Sequence, residues 1–395
     1  MSTTADTRSH LSAEQVTLDL ATDHLTVMRT GSGPASFHFV WLRDNCGCPE
    51  CRVGQSGERA LFTATIRDDI APTQASVLDG AAGPRLRIDW NDGHTTSYAL
   101  AWLLDHDYSS DRAGTVHEPV LWDATLAAVP TFEHDDVVGT PEGQVGYLDA
   151  VRDYGVAVVR HTPSVEGEVE RFAQKIGHVR ETAFERIHNV RHDPTGYNVA
   201  HTAAELKPHT DLPSYHWPPS IQLLHFVVNE ATGGESTVTD GWRIAEDLRR
   251  SDPPAFDVLT RVPVAFQLFS STEDTYATAP LIQVDATGRI STFRFSNQLA
   301  QPLRASFDDV GAFYRAYLLL GRMIDGPDYK VAFKARSGDL LTVHGHRVMH
   351  GRLAFDPRSG GRHLQDVYME FDDFTARARV LRGTHIAAPA NGDLA

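Results

Sequence analysis

Short strand-like stretches recur through the second half of the chain, and this recurrence limits the fold more strongly than any other feature. Between Tyr197 and Glu370 the stretches are apolar or alternating, and they are separated by turns or helices. Such a density of short strands favours a barrel or sandwich with inserted helices over a doubly wound parallel sheet. The stretches are YNVAHT, SIQLLHFVV, STVTDGW, VPVAFQLF, PLIQVD, STFRFSN, YKVAFKA, DLLTVHG and LQDVYMEF.

Helical patterns stand before and between these strands. The segment GQVGYLDAVRDYGVAVVRH predicts a helix that runs into a strand, and VEGEVERFAQKIG has the apolar spacing of an amphipathic helix. Further helices are predicted at AEDLRRSD and DVGAFYRAYLLLGRMID. The helix from Tyr314 to Met323 is either a core element or a dimer surface, and we favour the core. We therefore predict a mainly β fold with flanking helices, in the α+β class.

A smaller β-rich module precedes this region. From Phe37 to about Leu104 the stretches FHFVWLR, RLRIDW and TTSYAL predict short strands, and AWLLDHD predicts a helix. Residues 105–141 have little periodicity and are typical of a connector. A chain of 395 residues is long enough for two domains, which we place at 1–125 and 126–395.

Charge and hydropathy exclude two classes of partner. Lys and Arg number 36 against 52 Asp and Glu, and a net charge of −16 repels a nucleic-acid backbone. The sequence has neither an apolar signal core at its start nor an apolar run long enough to span a bilayer. We expect a cytoplasmic protein without nucleic-acid or membrane partners.

The three cysteines, Cys46, Cys48 and Cys51, form a C-x-C-x-x-C cluster. This spacing is unsuited to a disulfide framework, and it offers three thiolates to a structural zinc ion that needs a fourth ligand. His94, on a turn in the same module, is the better candidate for the fourth ligand, and His106 is the weaker one. The alternative is three free cytosolic thiols. A closed zinc site would stabilise a domain without leaving a position for substrate.

A second constellation consists of His209, Asp211 and His350. Two imidazoles and one carboxylate on one face of Fe(II) leave three positions open for a bidentate co-substrate and O₂. Arg362 opens the strand RHLQDVYMEF and offers a planar fork to the distal carboxylate of a dicarboxylic co-substrate. Together the four residues predict an iron site with a co-substrate clamp.

Less specific interpretations of the same residues stay open. His344 and His346 would point to one face of a strand and form an alternative metal pair, although Asp211 would then have no evident partner. In a purely structural role, Arg362 would form a surface ion pair, and the imidazoles of His209 and His350 would hydrogen-bond to backbone groups.

These residues lie within motifs by which the chain resembles the γ-butyrobetaine hydroxylase family of the taurine dioxygenase superfamily, over nearly its whole length. The motifs are W-L-R-D-N-C-x-C-x-x-C from Trp41, W-x-D-x-H ending at His94, R-E-T-x-F from Arg180, H-T-D-L-P from His209, P-P-S-I-Q-L-L-H from Pro218, A-T-G-G-E-S-T-V-x-D-G from Ala231, and H-G-R from His350 with Arg362-His-Leu.

The resemblance implies a double-stranded β-helix, or jelly-roll, catalytic domain behind an N-terminal zinc domain with a structural or oligomerisation role. It implies zinc on the three cysteines and His94, and a homodimer is expected. It also implies oxidative decarboxylation of 2-oxoglutarate to succinate and CO₂, coupled to hydroxylation of an unactivated C–H bond. His209, Asp211 and His350 would hold Fe(II), Arg362 would clamp 2-oxoglutarate, and Ser236 and Leu224 would line its pocket.

The substrate positions depart from the family pattern. Family members that act on trimethylammonium betaines surround the cation with aromatic faces, through cation–π attraction. Imidazoles stand at two of the aligned cage positions and could instead hydrogen-bond to an anion, and the family's substrate-binding asparagine aligns with Tyr197. The aligned cage positions are Phe184, His188, His201 and Tyr368, and the candidate carboxylate contacts are Tyr197, Asn198 and Asn297.

Three functional hypotheses follow. The first is hydroxylation of γ-butyrobetaine, or a close trimethylammonium analogue, to carnitine or its counterpart. The second keeps this chemistry but takes another small zwitterion, such as an amino acid or an aminophosphonate. The third is a zinc-domain interaction protein that has lost oxygenase activity.

Overall fold

The computed structural model describes residues 16–29, 31–54, 56–81, 83–109, 117–191, 202–270 and 272–383. The described chain divides into two compact units, one ending at His117 and the other running from Glu118 to Gly383. No helix within these ranges is both long enough and apolar enough to cross a membrane.

The first unit is built from short strands and two short helices. Two three-stranded antiparallel sheets, β1-β2-β3 and β6-β7-β8, share one apolar core with Phe37, Leu86 and Tyr98 at its centre. The elements are β1 (Val16–Leu20), β2 (His24–Arg29), β3 (Ser32–His38), α1 (Phe39–Asp44), β4 (Arg52–Val53), β5 (Glu58–Arg59), β6 (Pro72–Leu78), β7 (Arg85–Trp90), β8 (Thr95–Ala99) and α2 (Leu100–Asp105).

The prediction of one strand over FHFVWLR is wrong from its third residue onward. The strand ends at His38 and helix α1 begins at Phe39. Phe39 and Leu42, one helical turn apart, are both buried. Packing of this face overrides the strand preference of an aromatic and β-branched segment.

The second unit contains the remaining strands. They are β9 (Thr131–Glu133), β10 (Val156–Arg160), β11 (His188–Arg191), β12 (Leu206–His209), β13 (Ile221–Asn229), β14 (Thr232–Gly233), β15 (Ser236–Asp240), β16 (Val264–Phe269), β17 (Asp274–Ala279), β18 (Ile282–Val284), β19 (Ile290–Phe293), β20 (Lys330–Phe333), β21 (Leu340–His344), β22 (Val348–Arg352), β23 (Phe355–Asp356) and β24 (Arg362–Met369).

The helices of this unit flank its strands. They are α3 (His134–Gly139), α4 (Pro141–Tyr154), α5 (Glu168–Ala173), α6 (Gly241–Ser251), α7 (Pro253–Arg261), α8 (Phe307–Asp325) and α9 (Phe371–Arg382). Helix α4 begins at Pro141, directly after Thr140, whose hydroxyl caps the helix N-terminus. Its C-cap is Gly155, which has a left-handed conformation with φ +72°. The helix and the following strand β10 confirm the pattern predicted for this segment.

Two sheets carry the site. A six-stranded mixed sheet has the order β11-β24-β13-β21-β10-β9, and a four-stranded antiparallel sheet has the order β12-β22-β15-β20. Leu224 and Leu364 of the first sheet share an apolar cluster with Val238 and Val348 of the second, so these faces pack together. The residues on the opposite face of the six-stranded sheet pack against α4, α5 and α9.

The prediction of a β-rich fold with flanking helices is thus confirmed. The described strands form separate sheets and not one closed barrel. The helix predicted over Tyr314 to Met323 lies within α8. It packs on α6 and α7 through Phe313, Ala316 and Leu320, as expected of a core element.

Candidate active site

His209, Asp211 and His350 offer ligand atoms that lie within 4.8 Å of one another. Strand pairing brings them together, because β12 and β22 are antiparallel neighbours and His209 stands directly opposite His350. His209 Nε2 is 3.2 Å from Asp211 Oδ1, and His350 Nε2 is 4.0 Å from Asp211 Oδ2. Two imidazoles and one carboxylate converge on one point, as the sequence predicted.

The electrostatics of the triad suit a cation. Burial works to raise the pKa of Asp211, but His350 and the hydrogen bonds from His209 and Tyr368 hold that pKa well below its usual range. Burial lowers the pKa of His350 to about 4. Asp211 and His350 thus have the protonation states of metal ligands, an anionic carboxylate and a neutral imidazole. Burial works to lower the pKa of His209, but its hydrogen bond and ion pair with Asp211 raise that pKa above its ordinary value.

Neighbouring groups orient the triad. The carbonyl of Lys207 accepts a hydrogen bond from His209 Nδ1 at 2.9 Å, which leaves Nε2 for a metal. Gln222 Nε2 and the Tyr368 hydroxyl each donate to Asp211 Oδ2 at 2.7 Å. Both partners lie on the six-stranded sheet, whereas His209 lies on the four-stranded sheet. Side chains from both sheets therefore fix the position of the carboxylate.

The segment after Asp211 is held by a buried arginine. Leu212 has φ +49°, a left-handed conformation that is unusual for a branched residue. Arg294 donates hydrogen bonds to the carbonyls of Pro213, Tyr215 and His216. These contacts hold the strained turn that directs the carboxylate of Asp211 toward the histidines.

The triad lies in the wall of a cavity of about 480 Å³. The wall also contains most of the residues predicted to contact co-substrate or substrate. These are Phe184, His188, Leu224, Ser236, Arg362 and Tyr368. The open side of the triad therefore faces space for small molecules, as a catalytic metal site requires.

Arg362 fits the predicted carboxylate clamp. Its Nε atom is buried and has no hydrogen-bond partner among the described residues. Burial and the nearby charge of Arg352 lower the pKa of Arg362 to about 9. An anionic carboxylate would supply both the missing acceptor and the missing counter-charge.

Several predicted positions fall elsewhere. Asn297 is exposed, does not line the cavity, and accepts a hydrogen bond from the hydroxyl of Tyr317 at 3.2 Å. Tyr197, Asn198 and His201 lie outside the described residues. Their proposed substrate contacts stay predictions.

The alternative histidine pair does not form a metal site in the described structure. His346 Nε2 hydrogen-bonds to the carbonyl of Pro218 at 2.9 Å, and the His344 ring packs edge-on against Phe371. Neither residue lines the cavity.

Sequence reasoning missed several polar residues of the cavity wall, among them Gln222, Arg352 and Asp366. The signal was available for Asp366, because alternate residues of a strand share one face and Arg362 and Tyr368 lie on that face of β24. Gln222 could be found in the same way from Leu224 on β13. Arg352 follows His350 by the same step on β22.

The cysteine cluster forms a second, closed constellation. His94 Nε2 lies 3.2, 3.5 and 3.6 Å from the sulfur atoms of Cys46, Cys48 and Cys51. Ligand atoms at the corners of a tetrahedral zinc site are separated by about 3.6 Å when one is nitrogen and the other sulfur. The cluster fits a structural zinc ion.

The surroundings of this cluster favour a bound cation. Burial raises the pKa of Cys46 to about 12, so a thiolate there needs a positive partner. Asp92 accepts a hydrogen bond from the His94 backbone N–H at 2.9 Å and pairs with Arg43 at 2.8 Å. His106 instead stacks on Trp102 and bonds to its carbonyl, so the structure selects His94 as the fourth member.

The site defines the class of protein. Two histidines lie on neighbouring strands, and the carboxylate of Asp211 lies two residues beyond the end of one of them. This triad, open to a cavity that holds an unpaired arginine donor, is the arrangement of non-haem iron oxygenases. Comparison with known proteins agrees. The family model described as taurine catabolism dioxygenase TauD, TfdA family matches residues 128–368, and the γ-butyrobetaine hydroxylase-like N-terminal model matches residues 16–104.

Curated relatives match over most of their length. A γ-butyrobetaine dioxygenase of Pseudomonas sp. (strain AK-1) is 33% identical, covering 88% of this chain and 90% of that protein. The mitochondrial trimethyllysine dioxygenase of Gallus gallus is 29% identical, covering 91% and 86%. The human γ-butyrobetaine dioxygenase is 26% identical, covering 87% and 90%. The chain belongs to the taurine catabolism dioxygenase TauD, TfdA family, and it is a dioxygenase.

Proposed function

We propose that this dioxygenase uses Fe(II) and 2-oxoglutarate to hydroxylate an unactivated C–H bond of a small trimethylammonium zwitterion, γ-butyrobetaine or a close analogue. The observation that carries the proposal is that the triad and the unpaired donor of Arg362 lie in the wall of one cavity. The names of the relatives support the substrate class, since they act on γ-butyrobetaine or trimethyllysine.

Each residue has a defined role in this proposal. His209, Asp211 and His350 would hold Fe(II), which supplies O₂ activation coupled to decarboxylation of 2-oxoglutarate. Arg362 would bind the distal carboxylate of the co-substrate through charge-assisted hydrogen bonds, beside the wall formed by Leu224 and Ser236. The apolar part of the wall excludes bulk water from the reacting groups.

The finer architecture is part of the proposal. The two facing sheets would be the double-stranded β-helix of this class, within a catalytic domain of residues 126–395. Residues 1–125 would form a zinc-binding domain with a structural or oligomerisation role. A homodimer and a cytoplasmic location stay predictions.

A second candidate keeps the reaction but changes the substrate to an amino acid or an aminophosphonate. The observation in its favour is that His188, at a predicted cage position, pairs with Asp366 at 3.2 Å. A cation that carries N–H groups would find hydrogen-bonding partners there, which a quaternary ammonium group cannot use.

The test is succinate formation by protein loaded with iron without oxygen and then given O₂, 2-oxoglutarate and one panel compound. The panel contains betaines, amino acids and aminophosphonates, and product mass is measured in parallel. We expect γ-butyrobetaine or a close analogue to stimulate succinate formation and to gain one oxygen atom. His350→Ala should abolish turnover, and His178→Ala, at a side chain that is 98% exposed, should not.

Stimulation only by an amino acid or an aminophosphonate would replace the first candidate with the second. A protein that binds iron and 2-oxoglutarate but is stimulated by no panel member would contradict both substrate classes. A protein that binds zinc but no iron would overturn the oxygenase role of the triad.

A further inference from the structure

Asp366 is a buried acid in the cavity wall that the triad and the co-substrate clamp leave unused. It lies on β24, where alternate positions face the cavity, and only 3% of its surface is exposed. On the same face of this strand, Arg362 precedes it by two alternate positions and Tyr368 follows it by one. Asp366 therefore stands between the co-substrate clamp and a predicted cage residue.

Two side chains hold the Asp366 carboxylate in place. His188 stands directly opposite Asp366 in the β11–β24 pair, and its Nδ1 atom lies 3.2 Å from Asp366 Oδ1. Gln222 Nε2 donates to Asp366 Oδ2 at 2.9 Å and to Asp211 Oδ2 at 2.7 Å. One amide group thus links Asp366 to the triad, which places its carboxylate close to the reacting centre.

Aromatic rings line the same cavity wall as the carboxylate. The Phe184 ring stacks on the His188 ring with centroids 4.7 Å apart and an interplanar angle of 17°. Tyr368 directs its hydroxyl to Asp211, which fixes the position of its ring. This end of the cavity combines rings that can contact a methylated cation with a carboxylate that can attract its charge.

Basic and acidic side chains lie in different parts of the cavity wall. Among the described lining residues, Asp211 and Asp366 are the acids, and Arg352 and Arg362 are the strong bases. Asp211 belongs to the metal site, and Asp366, which His188 contacts at 3.2 Å, is the other acid in the described wall that a substrate can meet. Arg362 lies near the charge of Arg352, and this part of the wall can bind an anion. The part that contains Asp366 and His188 can bind a cation.

We propose that Asp366 is a specificity-determining residue that supplies the counter-charge for the cationic nitrogen of the substrate. The inference rests on the proposed function, and it adds that this enzyme recognises the charge of the nitrogen and not only its methyl groups. A molecule of the same shape with an uncharged carbon in place of the nitrogen would bring no counter-charge to the Asp366–His188 pair and would bind more weakly. A cation with an N–H group would hydrogen-bond to Asp366 and be accepted.

Burial and nearby charges act in opposite directions on the pKa of Asp366. Burial raises its pKa even though His188 favours the charged form. A substrate cation beside the carboxylate acts in the opposite direction, because an opposite charge favours ionisation. Binding of the cation and ionisation of Asp366 therefore support each other.

The experiment measures binding by calorimetry, without oxygen, to protein loaded with Fe(II) and 2-oxoglutarate. The ligands are γ-butyrobetaine, its isostere 5,5-dimethylhexanoate, in which an uncharged carbon replaces the nitrogen, and 4-(dimethylamino)butanoate, whose cationic nitrogen carries an N–H group. The proteins are the wild type, Asp366→Asn, and Asp257→Asn as a matched loss of one exposed acid, whose side chain is 70% exposed. Asp366→Ser serves as a second variant if Asp366→Asn does not fold.

We expect the wild type and Asp257→Asn to bind both cations at least about 30-fold more tightly than the isostere. In Asp366→Asn this preference should fall to within about threefold, mainly through weaker binding of the cations. Succinate formation without substrate and the thermal midpoint check that the variant retains its metal site and its fold. A variant that keeps the full preference for cations would overturn the proposal and leave Asp366 as a structural partner of His188.

Failure of the proposed function gives a different result. If γ-butyrobetaine does not bind the wild type but another panel cation does, the substrate assignment fails. The same comparison, made with that cation and its uncharged isostere, then decides the role of Asp366. If only uncharged or anionic compounds bind, both proposals fail.

Discussion

The described residues contain two constellations of metal-ligand type that differ in one decisive respect. The cysteine cluster of the first unit is closed, because it offers three sulfur atoms and His94 Nε2 within 4.8 Å of one another, the full ligand number of a structural zinc ion. The triad of the second unit is open, because three ligand atoms lie on one side and a cavity of about 480 Å³ lies on the other. A closed site stabilises, whereas an open site binds reactants.

The two sites also differ in how the chain assembles them. Three members of the cluster come from one short loop, and a β-hairpin turn between β7 and β8 brings His94 to it. In the triad, the pairing of two strands that are distant in sequence sets His209 against His350. The closed site therefore depends on local chain geometry, and the open site depends on the register of a sheet.

The largest expected effect is on stability, from opening the closed site. Cys46→Ser should remove zinc and destabilise the first unit by several kcal/mol, since zinc contributes about 10–16 kcal/mol to the folding of small zinc domains. Zinc content by mass spectrometry and thermal unfolding check this result. His106→Ala, the rejected fourth ligand, should keep its zinc; loss of zinc there would contradict the assignment of His94.

The next effect is on catalysis, from removing a ligand of the open site. His350→Ala should lower turnover by more than about 100-fold, the upper range for loss of an outer partner of a metal ligand alone. Zinc content and the thermal midpoint of the first unit should not change. Iron loss accompanied by zinc loss would show that the two sites are not independent.

A smaller effect is expected on the binding of 2-oxoglutarate, where the shape of the Arg362 guanidinium group can be separated from its charge. Arg362→Lys keeps the positive charge but loses the planar fork, so the KM for 2-oxoglutarate should rise about 10- to 100-fold while iron affinity is retained. Succinate formation at varied 2-oxoglutarate measures the change. An unchanged KM would show that the co-substrate carboxylate binds elsewhere.

The smallest effect concerns the outer partners of the closed site. Asp92→Asn weakens the hydrogen bonds to Arg43 and to the backbone of His94, and should cost about 1–3 kcal/mol of stability. Urea unfolding of the zinc-loaded protein at neutral pH measures it. Asp69→Asn, which breaks an exposed pair with Arg67, should cost less stability than Asp92→Asn. Equal losses in the two variants would remove the special role of Asp92.

Local features of the sequence predicted much of this structure. The helix–strand pattern ending in β10, the strands RLRIDW and TTSYAL, and the helix α8 are present where apolar periodicity placed them. Prediction failed at Phe39, where strand-like composition occurs in a helix that packs on the core of the first unit. Composition records the preference of a segment, but its burial depends on partners elsewhere in the chain.

The sequence by itself determined the chemical types at both sites: thiolates in one loop, the His-x-Asp pair with a distant histidine, and an arginine that opens a strand. Only the tertiary structure decided between His94 and His106, placed Asn297 outside the cavity, and brought Asp366, Gln222 and His188 together beside the triad. The physical reason is that ligand chemistry is a property of single residues, whereas proximity depends on strand register. A shift of one residue in that register would turn Asp366 from the cavity to the opposite face of the sheet.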